Sequence, residues 1–220
     1  MAEKILMIVT TADKVTDDIK TGIWLSEFAE PFIEFKKYGY DVTIASPKGG
    51  KAPLDPNSME ENQPKGFIEA IPFLDSTLRL EEVEPSEYKA VFLPGGHGTM
   101  FDLPDNKTLH TILKYFIDKG KLIGAVCHGP SGLVEAKGSD GRHFVNGKKL
   151  TAFTDAEEKE TTLDGHMPFL LESKLRELGA LFVEAPEFTD HVVVDRNLVT
   201  GQNPQSSLST ARAFLEELQK

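Results

Sequence analysis

The chain has 220 residues, 40% of them hydrophobic and 27% charged, and its 24 basic and 35 acidic residues give a formal net charge of −11. This charge argues against nonspecific nucleic-acid binding and against adhesion to anionic membranes, both of which need a positive surface. No apolar run approaches the ~20 residues of a membrane-spanning helix, and the N-terminus is typical of a first strand rather than a secretion signal. The length fits one α/β domain, so we expect residues 1–220 to form a single domain.

Strand and helix patterns alternate along the chain. Residues 4–9 are a continuous apolar run, as in a strand buried on both faces, and residues 24–38 have helical spacing, with Pro31 predicting a kink or break. We predict further strands at 40–45, 88–93, 122–126, 150–153 and 180–184, helices at 106–119, 130–136 and 204–218, a long loop at 46–66, and a hairpin of 191–195 with 198–200. The pattern predicts an α/β fold whose mostly parallel sheet is flanked by helices on both faces, with a small antiparallel hairpin near the C-terminus. Ligands of such folds bind beyond the carboxyl ends of the strands.

Cys127, the only cysteine of the chain, follows one of these predicted strands and precedes a predicted helix. The small residues Ala125 and Gly129 flank it at the spacing of a nucleophile elbow, a tight turn that lifts a reactive side chain above the sheet. A helix start would also favour the thiolate. A lone cysteine is more often a buried structural residue, but the elbow pattern favours a nucleophile. One cysteine forms no internal disulfide, which fits a reducing, cytoplasmic location.

A glycine-rich turn, PGGHG at residues 94–98, follows the predicted strand 88–93. Glycines allow backbone N–H groups to approach a ligand closely. Beside a nucleophile elbow, Gly95, Gly96 and His97 are therefore candidates for substrate or oxyanion binding, with the N–H of His128 as a further donor. The base that serves the cysteine could be any of six histidines, and spacing alone does not choose an acid among 35. Phosphate-binding glycine motifs are absent from the sequence.

Three motifs together carry a family resemblance: GAVCHGP, LPGGHGTMFDLPDN and TGIWLSEFAEPF. Through them the chain resembles the DJ-1/PfpI superfamily, within the flavodoxin-like class I glutamine amidotransferase-like fold. The match is best to its Hsp31-like branch of stress proteins, glyoxalase III enzymes and chaperones. The motifs ASPKGGKAPLDPNS, LTAFTDAEE and VTGQNPQSS extend the resemblance over nearly the whole chain. The resemblance implies a homodimer that acts on a small aldehyde without a cofactor, and unfolded client proteins as partners if the chain is a chaperone.

The resemblance also implies roles for individual residues. The implied catalytic residues are the nucleophile Cys127, its neighbour His128, the first-helix acid Glu27 and the triad acid Glu158. Asp155 and Glu157 are close enough in sequence to remain alternatives for the last role. Glu27 could instead be a solvated helix charge, and Glu158 could belong to an ordinary charged helix surface. Longer Hsp31 proteins carry an extra N-terminal segment and a metal site. This chain begins at its first strand, so no metal is implied.

These implied residues favour a cofactor-independent, glyoxalase III-type conversion of methylglyoxal to lactate. One alternative is a holdase chaperone, which would need an exposed apolar patch. A second is a cysteine hydrolase or deglycase that acts on amides or glycated groups, and a third is redox sensing through Cys127. Glutamine amidotransferases carry a late His-x-Glu pair, and its absence here argues against glutamine hydrolysis.

Overall fold

Strands and helices alternate in the computed structural model, which describes residues 2–59 and 61–220. The strands are β1 (Lys4–Ile8), β2 (Asp41–Ser46), β3 (Leu78–Arg79), β4 (Ala90–Leu93), β5 (Leu122–Val126), β6 (Lys149–Leu150), β7 (Leu181–Phe182), β8 (Val192–Asp195) and β9 (Leu198–Gly201). The helices are α1 (Leu25–Lys37), α2 (Lys65–Ala70), α3 (Thr99–Asp102), α4 (Lys107–Asp118), α5 (Asp155–Glu160), α6 (Leu171–Glu177) and α7 (Ser207–Leu218), with short 3₁₀ turns between them.

Seven of the strands form one sheet in the order β3-β2-β1-β4-β5-β9-β8. Six of them are parallel, and β8 pairs antiparallel with β9 as the predicted C-terminal hairpin. The run β2-β1-β4-β5-β9 has the flavodoxin-like order, in which the chain leaves β1 toward opposite edges of the sheet. The predicted α/β fold is therefore confirmed. Its strand ends form a crevice near β1, β4 and β5.

Two hydrophobic clusters lie on opposite faces of this sheet. Alternate residues of β1 take part in both, since Leu6 and Ile8 pack on one face while Ile5 and Met7 pack on the other. Helices α4 and α6 cover the first face, and α1 and α7 cover the second. Burial on both faces explains why these strands are continuous apolar runs rather than alternating patterns.

Four predicted elements differ in the structure. The segment predicted as a helix at 130–136 is a 3₁₀ turn, Gly129–Leu133, since its glycines and Pro130 disfavour an α-helix and Gly132 packs closely against Leu93. The predicted break at Pro31 does not occur, because α1 runs unbroken past this residue. The strands predicted at 150–153 and 180–184 are two-residue strands that pair with each other outside the main sheet.

The long predicted loop at 46–66 is largely irregular, although a 3₁₀ turn, Pro56–Ser58, interrupts it and α2 begins at its end. Helices α2, α3, α5 and α6 and the strand β3 are additions to the predicted elements. The longest helix in the described part of the chain, α1, has 13 residues. None of the described helices is both long and apolar enough to cross a membrane.

Candidate active site

Cys127 lies directly after β5 with a left-handed backbone conformation, φ +58°. Its N–H donates to the carbonyl of Gly201 at 2.9 Å, and its carbonyl accepts from the N–H of Phe153 at 3.0 Å. A side chain at Gly129 would collide with the carbonyl of Leu93. These contacts hold a strained conformation that most non-glycine residues avoid, as expected of a nucleophile elbow.

The side chain of His128 turns back toward its neighbour. Its Nδ1 lies 3.3 Å from Cys127 Sγ, and its Nε2 lies 2.6 Å from Glu158 Oε2. The Phe153 ring packs against the imidazole at a centroid distance of 4.5 Å. Because the carboxylate accepts a hydrogen bond from Nε2–H, Nδ1 is left as the acceptor that faces the thiol. Burial, together with the nearby His97, lowers the pKa of His128, so a neutral imidazole is favoured.

Glu158 is shared by two histidines. Its Oε1 lies 2.7 Å from His97 Nε2, while its Oε2 bonds His128. Only 3% of Glu158 is exposed. Burial opposes its ionisation, but His128 and His97 outweigh that effect and hold the pKa of its carboxyl well below the ordinary value. Glu158 therefore lies in the interior as an anion that orients both rings, and it is not part of a charged helix surface.

The two alternatives for this acid face other partners. Glu157 is fully buried and accepts hydrogen bonds from the side-chain amides of Gln202 and Asn203 and from the N–H of Thr154. Asp155 accepts from the N–H of Ser173 at the start of α6. The geometry therefore brings Glu158, rather than Glu157 or Asp155, to the imidazole of His128.

Glu27 is fully buried on α1. Its Oε2 accepts from the N–H of Gly95 at 2.8 Å, whereas its Oε1 has no hydrogen-bond partner among the described residues. Burial raises the pKa of this carboxyl to about 8, although its contacts with Cys127 and Gly95 oppose the rise. Glu27 is consequently protonated at neutral pH, with an oxygen free to donate a proton.

Burial, followed by the negative charge of Glu27, also raises the pKa of the Cys127 thiol well above its ordinary value. This corrects the expectation that a helix start would stabilise the thiolate, because the following turn is 3₁₀ and the sulfur is surrounded by carboxylates rather than by cations. Protonation of Glu27 removes the nearest opposing charge. The thiol then faces a neutral base on one side and an acid on the other.

The glycine-rich turn closes the same end of the site. Gly96 has φ +97°, and a side chain there would collide with the backbone of Gly22 and Trp24. A side chain at Gly95 would approach within 2.7 Å of the backbone N of His128. In the described part of the chain, the N–H groups of Gly96 and His128 have no acceptor. Both are thus available to a ligand oxygen.

A cavity of about 500 Å³ connects these groups to solvent. The catalytic candidates Glu27, Cys127 and His128 share its wall with aromatic and polar side chains from α1, α7 and the loop before β8. The volume suits a small organic molecule.

His97, His128 and Glu158 also form a set of groups that could hold a metal, since their ligand atoms all lie within 4.8 Å of one another. Around tetrahedral zinc, however, ligand atoms about 2.0–2.1 Å from the ion lie roughly 3.3 Å apart. The Glu158 oxygens lie only 2.7 Å from His97 Nε2 and 2.6 Å from His128 Nε2. Both distances are shorter than the ligand separation around zinc and match hydrogen bonds. The group is arranged for proton chemistry around Glu158.

The structure brings all of the sequence-predicted residues to one place, but two of the three candidates for substrate or oxyanion binding have other partners. The N–H of Gly95 donates to Glu27, and the ring of His97 bonds Glu158. Phe153, Glu30 and Asp190 also line the cavity and were missed. Phe153 is the last residue of the strand predicted at 150–153, which is the one available sequence signal. No local pattern marks Glu30 or Asp190.

Known proteins resemble this chain in sequence and in fold. A sequence model of the DJ-1/PfpI family matches residues 14–217. The glutathione-independent glyoxalase hsp3101 of Schizosaccharomyces pombe is 33% identical over 91% of this chain and 88% of its own length. Among solved structures, the Rapid Encystment Protein 24 KDa of Francisella tularensis superposes with a TM-score of 0.91 at 33% identity, covering 98% of this chain and 99% of that one. Glyoxalase III of Candida albicans superposes with a TM-score of 0.85 at 28% identity, covering 98% and 97%.

Proposed function

The chain belongs to the DJ-1/PfpI family, and from this premise we propose that it is a glutathione-independent glyoxalase that converts methylglyoxal to lactate. The observation that carries the proposal is the placement of Cys127 Sγ, 3.3 Å from His128 Nδ1, in a small cavity that also contains Glu27. Relatives named as glyoxalases match this chain over most of its length. We assign the nucleophile to Cys127 and the triad to Cys127, His128 and Glu158.

The first step of this reaction is addition of sulfur to the aldehyde. The Cys127 thiol passes its proton to Nδ1 of His128, and the thiolate forms a bond with the aldehyde carbon C1. The C=O double bond opens, and the N–H groups of Gly96 and His128 stabilise the oxyanion. A proton from the imidazolium or from Glu27 neutralises that oxygen and gives a hemithioacetal.

The second step moves a hydrogen from C1 to C2. His128 or Glu27 removes the proton on C1 and forms an enediol, and a proton is returned to C2. The product is a lactoyl thioester of Cys127, since C1 is now oxidised and C2 reduced within the same molecule. One water then hydrolyses the thioester to lactate and restores the thiol. Every step transfers a proton or forms and breaks a carbon–sulfur bond, so the sequence of steps needs no external oxidant or reductant.

The experiment is a lactate assay with purified protein, methylglyoxal and no glutathione. Wild type should form lactate, and Cys127→Ala should form none above the uncatalysed rate. Glu27→Gln should lose at least about 100-fold in kcat/KM, because a general acid typically contributes 10²–10⁴-fold. Glu34→Gln is the matched control, since Glu34 is also buried on α1 but does not line the cavity. Lactate formation by Cys127→Ala would refute the mechanism.

A homodimer and a cytoplasmic location are consistent with the family resemblance, and light scattering would measure the first. The holdase alternative has weaker support, because the exposed large apolar side chains are distributed over separate elements, for example Tyr38 at the end of α1, Phe73 after α2 and Leu181 on β7. Suppression of client aggregation by Cys127→Ala as well as by wild type would favour it.

A further inference from the structure

The wall of the active-site cavity is acidic. Besides Glu27, which is protonated and uncharged at neutral pH, it contains the carboxyl groups of Glu30 and Asp190. None of the described residues that line it is a lysine or an arginine. Glu30 lies one turn after Glu27 on α1, and Asp190 lies in the loop before β8. The two acids therefore approach the cavity from different elements. The cavity offers no cationic side chain that would bind an anionic substrate.

Glu30 and Asp190 are close enough to affect each other. Burial raises the pKa of Glu30, and the charge of Asp190 adds a smaller part of the rise. A backbone hydrogen bond from Leu208 and the charge of Arg212 oppose the rise, but this arginine lies outside the cavity wall and is mostly exposed, 3.9 Å from Glu34. Asp190 accepts a hydrogen bond from the Ser209 hydroxyl, which is a neutral partner. The negative charge at the cavity is thus only weakly compensated.

We propose that Glu30 and Asp190 are specificity-determining residues that restrict this cavity to uncharged or cationic aldehydes and exclude aldehydes that carry a carboxylate or phosphate. This inference rests on the proposed glyoxalase function and names its substrate class. Glu30 is half-buried and Asp190 is exposed, although both line the cavity, so their negative charges repel an entering anion from partly solvated positions. A neutral dicarbonyl such as methylglyoxal meets no such barrier.

The test uses two alkylating reagents that differ chiefly in charge. Iodoacetamide is neutral and iodoacetate is anionic, and both transfer a small group to a thiolate with loss of iodide. Cys127 is the only cysteine, so intact-protein mass reports its alkylation alone. The ratio of the two rates cancels the thiolate fraction of Cys127. The same ratio measured with 2-mercaptoethanol supplies the reference without a protein field.

For wild type, the iodoacetate-to-iodoacetamide ratio should be at least about 10-fold below the reference. Glu30→Gln and Asp190→Asn should each raise it roughly threefold, and the double variant should raise it further toward the reference without reaching it, because the Glu158 anion remains. Glu216→Gln, an equal charge change on the exposed side of α7, should leave the wild-type ratio unchanged. A wild-type ratio equal to the reference, or variants that do not move it, would overturn the proposal. If neither reagent labels Cys127, whose thiol pKa burial raises, the comparison of a neutral with an anionic aldehyde decides the proposal.

A second assay separates this inference from the function on which it rests. Turnover of phenylglyoxal is compared with turnover of 4-carboxyphenylglyoxal, which has the same reacting groups and one negative charge. Discrimination against the anion that Glu30→Gln and Asp190→Asn relieve supports the inference. If alkylation discriminates by charge but neither aldehyde is turned over, the exclusion of anions by Glu30 and Asp190 is supported and the glyoxalase function is rejected. Equal turnover of both aldehydes by wild type would reject the selection and keep the function.

Discussion

At the scale of single residues, Glu27 shows how burial changes the protonation of a carboxyl group. Its pKa of about 8 lies above the ordinary value of 4.5. Between these values the folded protein therefore keeps a proton that the unfolded chain has released. Under those conditions the unfolded state binds fewer protons, so the free energy of unfolding falls as pH rises through this range. The protonated form of Glu27, which acts as the acid in catalysis, is therefore also the form in which the folded state is more stable.

Replacing Glu27 by Gln should remove this pH dependence. Relative to wild type, the free energy of unfolding of Glu27→Gln should increase by on the order of 4 kcal/mol between about pH 5 and about pH 9, because Gln never places a charge in the interior. Urea denaturation at several pH values measures it, with Glu34→Gln as the control. A difference between Glu27→Gln and wild type that does not change with pH would contradict the burial of an ionisable carboxyl here.

His97 is a positioning residue, since it contacts Glu158 and reaches the thiol only through His128. Its presence lowers the pKa of His128, so His97→Gln should move the acid limb of the kcat/KM profile toward higher pH as well as reduce kcat. The alkaline limb, which we assign to Glu27, should stay near pH 8. A profile that falls in height with both limbs unmoved would indicate a purely structural role.

The sequence identified the reacting residues better than it identified their partners. Cys127 is marked by a local pattern, small residues around a strand end, and Glu27 by the family resemblance. The contact between His97 and Glu158 spans 61 residues, and Glu30 and Asp190 line one cavity only because of the fold. Such contacts depend on tertiary packing and leave no periodic or local signal.

At the scale of elements, the junction of β5 with its neighbours depends on close packing. Gly124 lies between the rings of Phe92 and Phe214, whose centroids are 5.4 Å apart, and a Cβ on it would approach each ring within 2.6 Å. Both rings belong to the cluster that α1 and α7 cover. This small residue therefore allows α7 to pack against the strand that ends at Cys127.

Gly124→Ala should destabilise the protein by about 1–3 kcal/mol, because an extra methyl group overpacks a well-filled core. Chemical denaturation measures the change. Gly165→Ala is the matched control, since its Cβ would meet no atom within 4 Å and its φ is not positive, and it should change the stability by less than about 0.5 kcal/mol. Equal effects of the two substitutions would show that the gap between the rings tolerates a side chain.

The elements that were predicted well are those whose burial fixes their pattern. The strands β1, β4 and β5 are apolar because both of their faces are covered, and α4 begins at Asn106, whose side chain caps it. The two-residue strands β3, β6 and β7 are too short to show the alternation of apolar and polar residues that marks a strand. The turn after Cys127 contains glycines, although its sequence predicts a helix. Their conformations are decided by neighbours distant in sequence.

At the scale of the whole molecule, one sheet joins both hydrophobic clusters. Adjacent residues of β1 and of β4 belong to different clusters, so neither cluster can lose its packing while the other keeps an intact sheet. The active site draws on the same sheet, with Gly95 after β4 and Cys127 after β5. The site and the core should therefore be lost together.

We expect residues 1–220 to unfold as one cooperative unit. Three probes should give coincident transitions in urea: far-UV circular dichroism, fluorescence of Trp24 and protection of Cys127 from alkylation. Trp24 reports on the site because it lies at the start of α1 and lines the cavity. Two separated transitions, with Trp24 or Cys127 exposed before the loss of secondary structure, would show that the chain contains two independent units.

The central claim is that the thiol of Cys127 is the nucleophile of a glutathione-independent glyoxalase, and its stoichiometric inactivation tests this most directly. Wild-type protein is alkylated with iodoacetamide to increasing extents, and the labelled fraction from intact mass is compared with lactate formation from methylglyoxal. Because the chain has one cysteine, activity should fall linearly and reach zero at one label per chain. Lactate formation that persists in fully labelled protein would contradict the account.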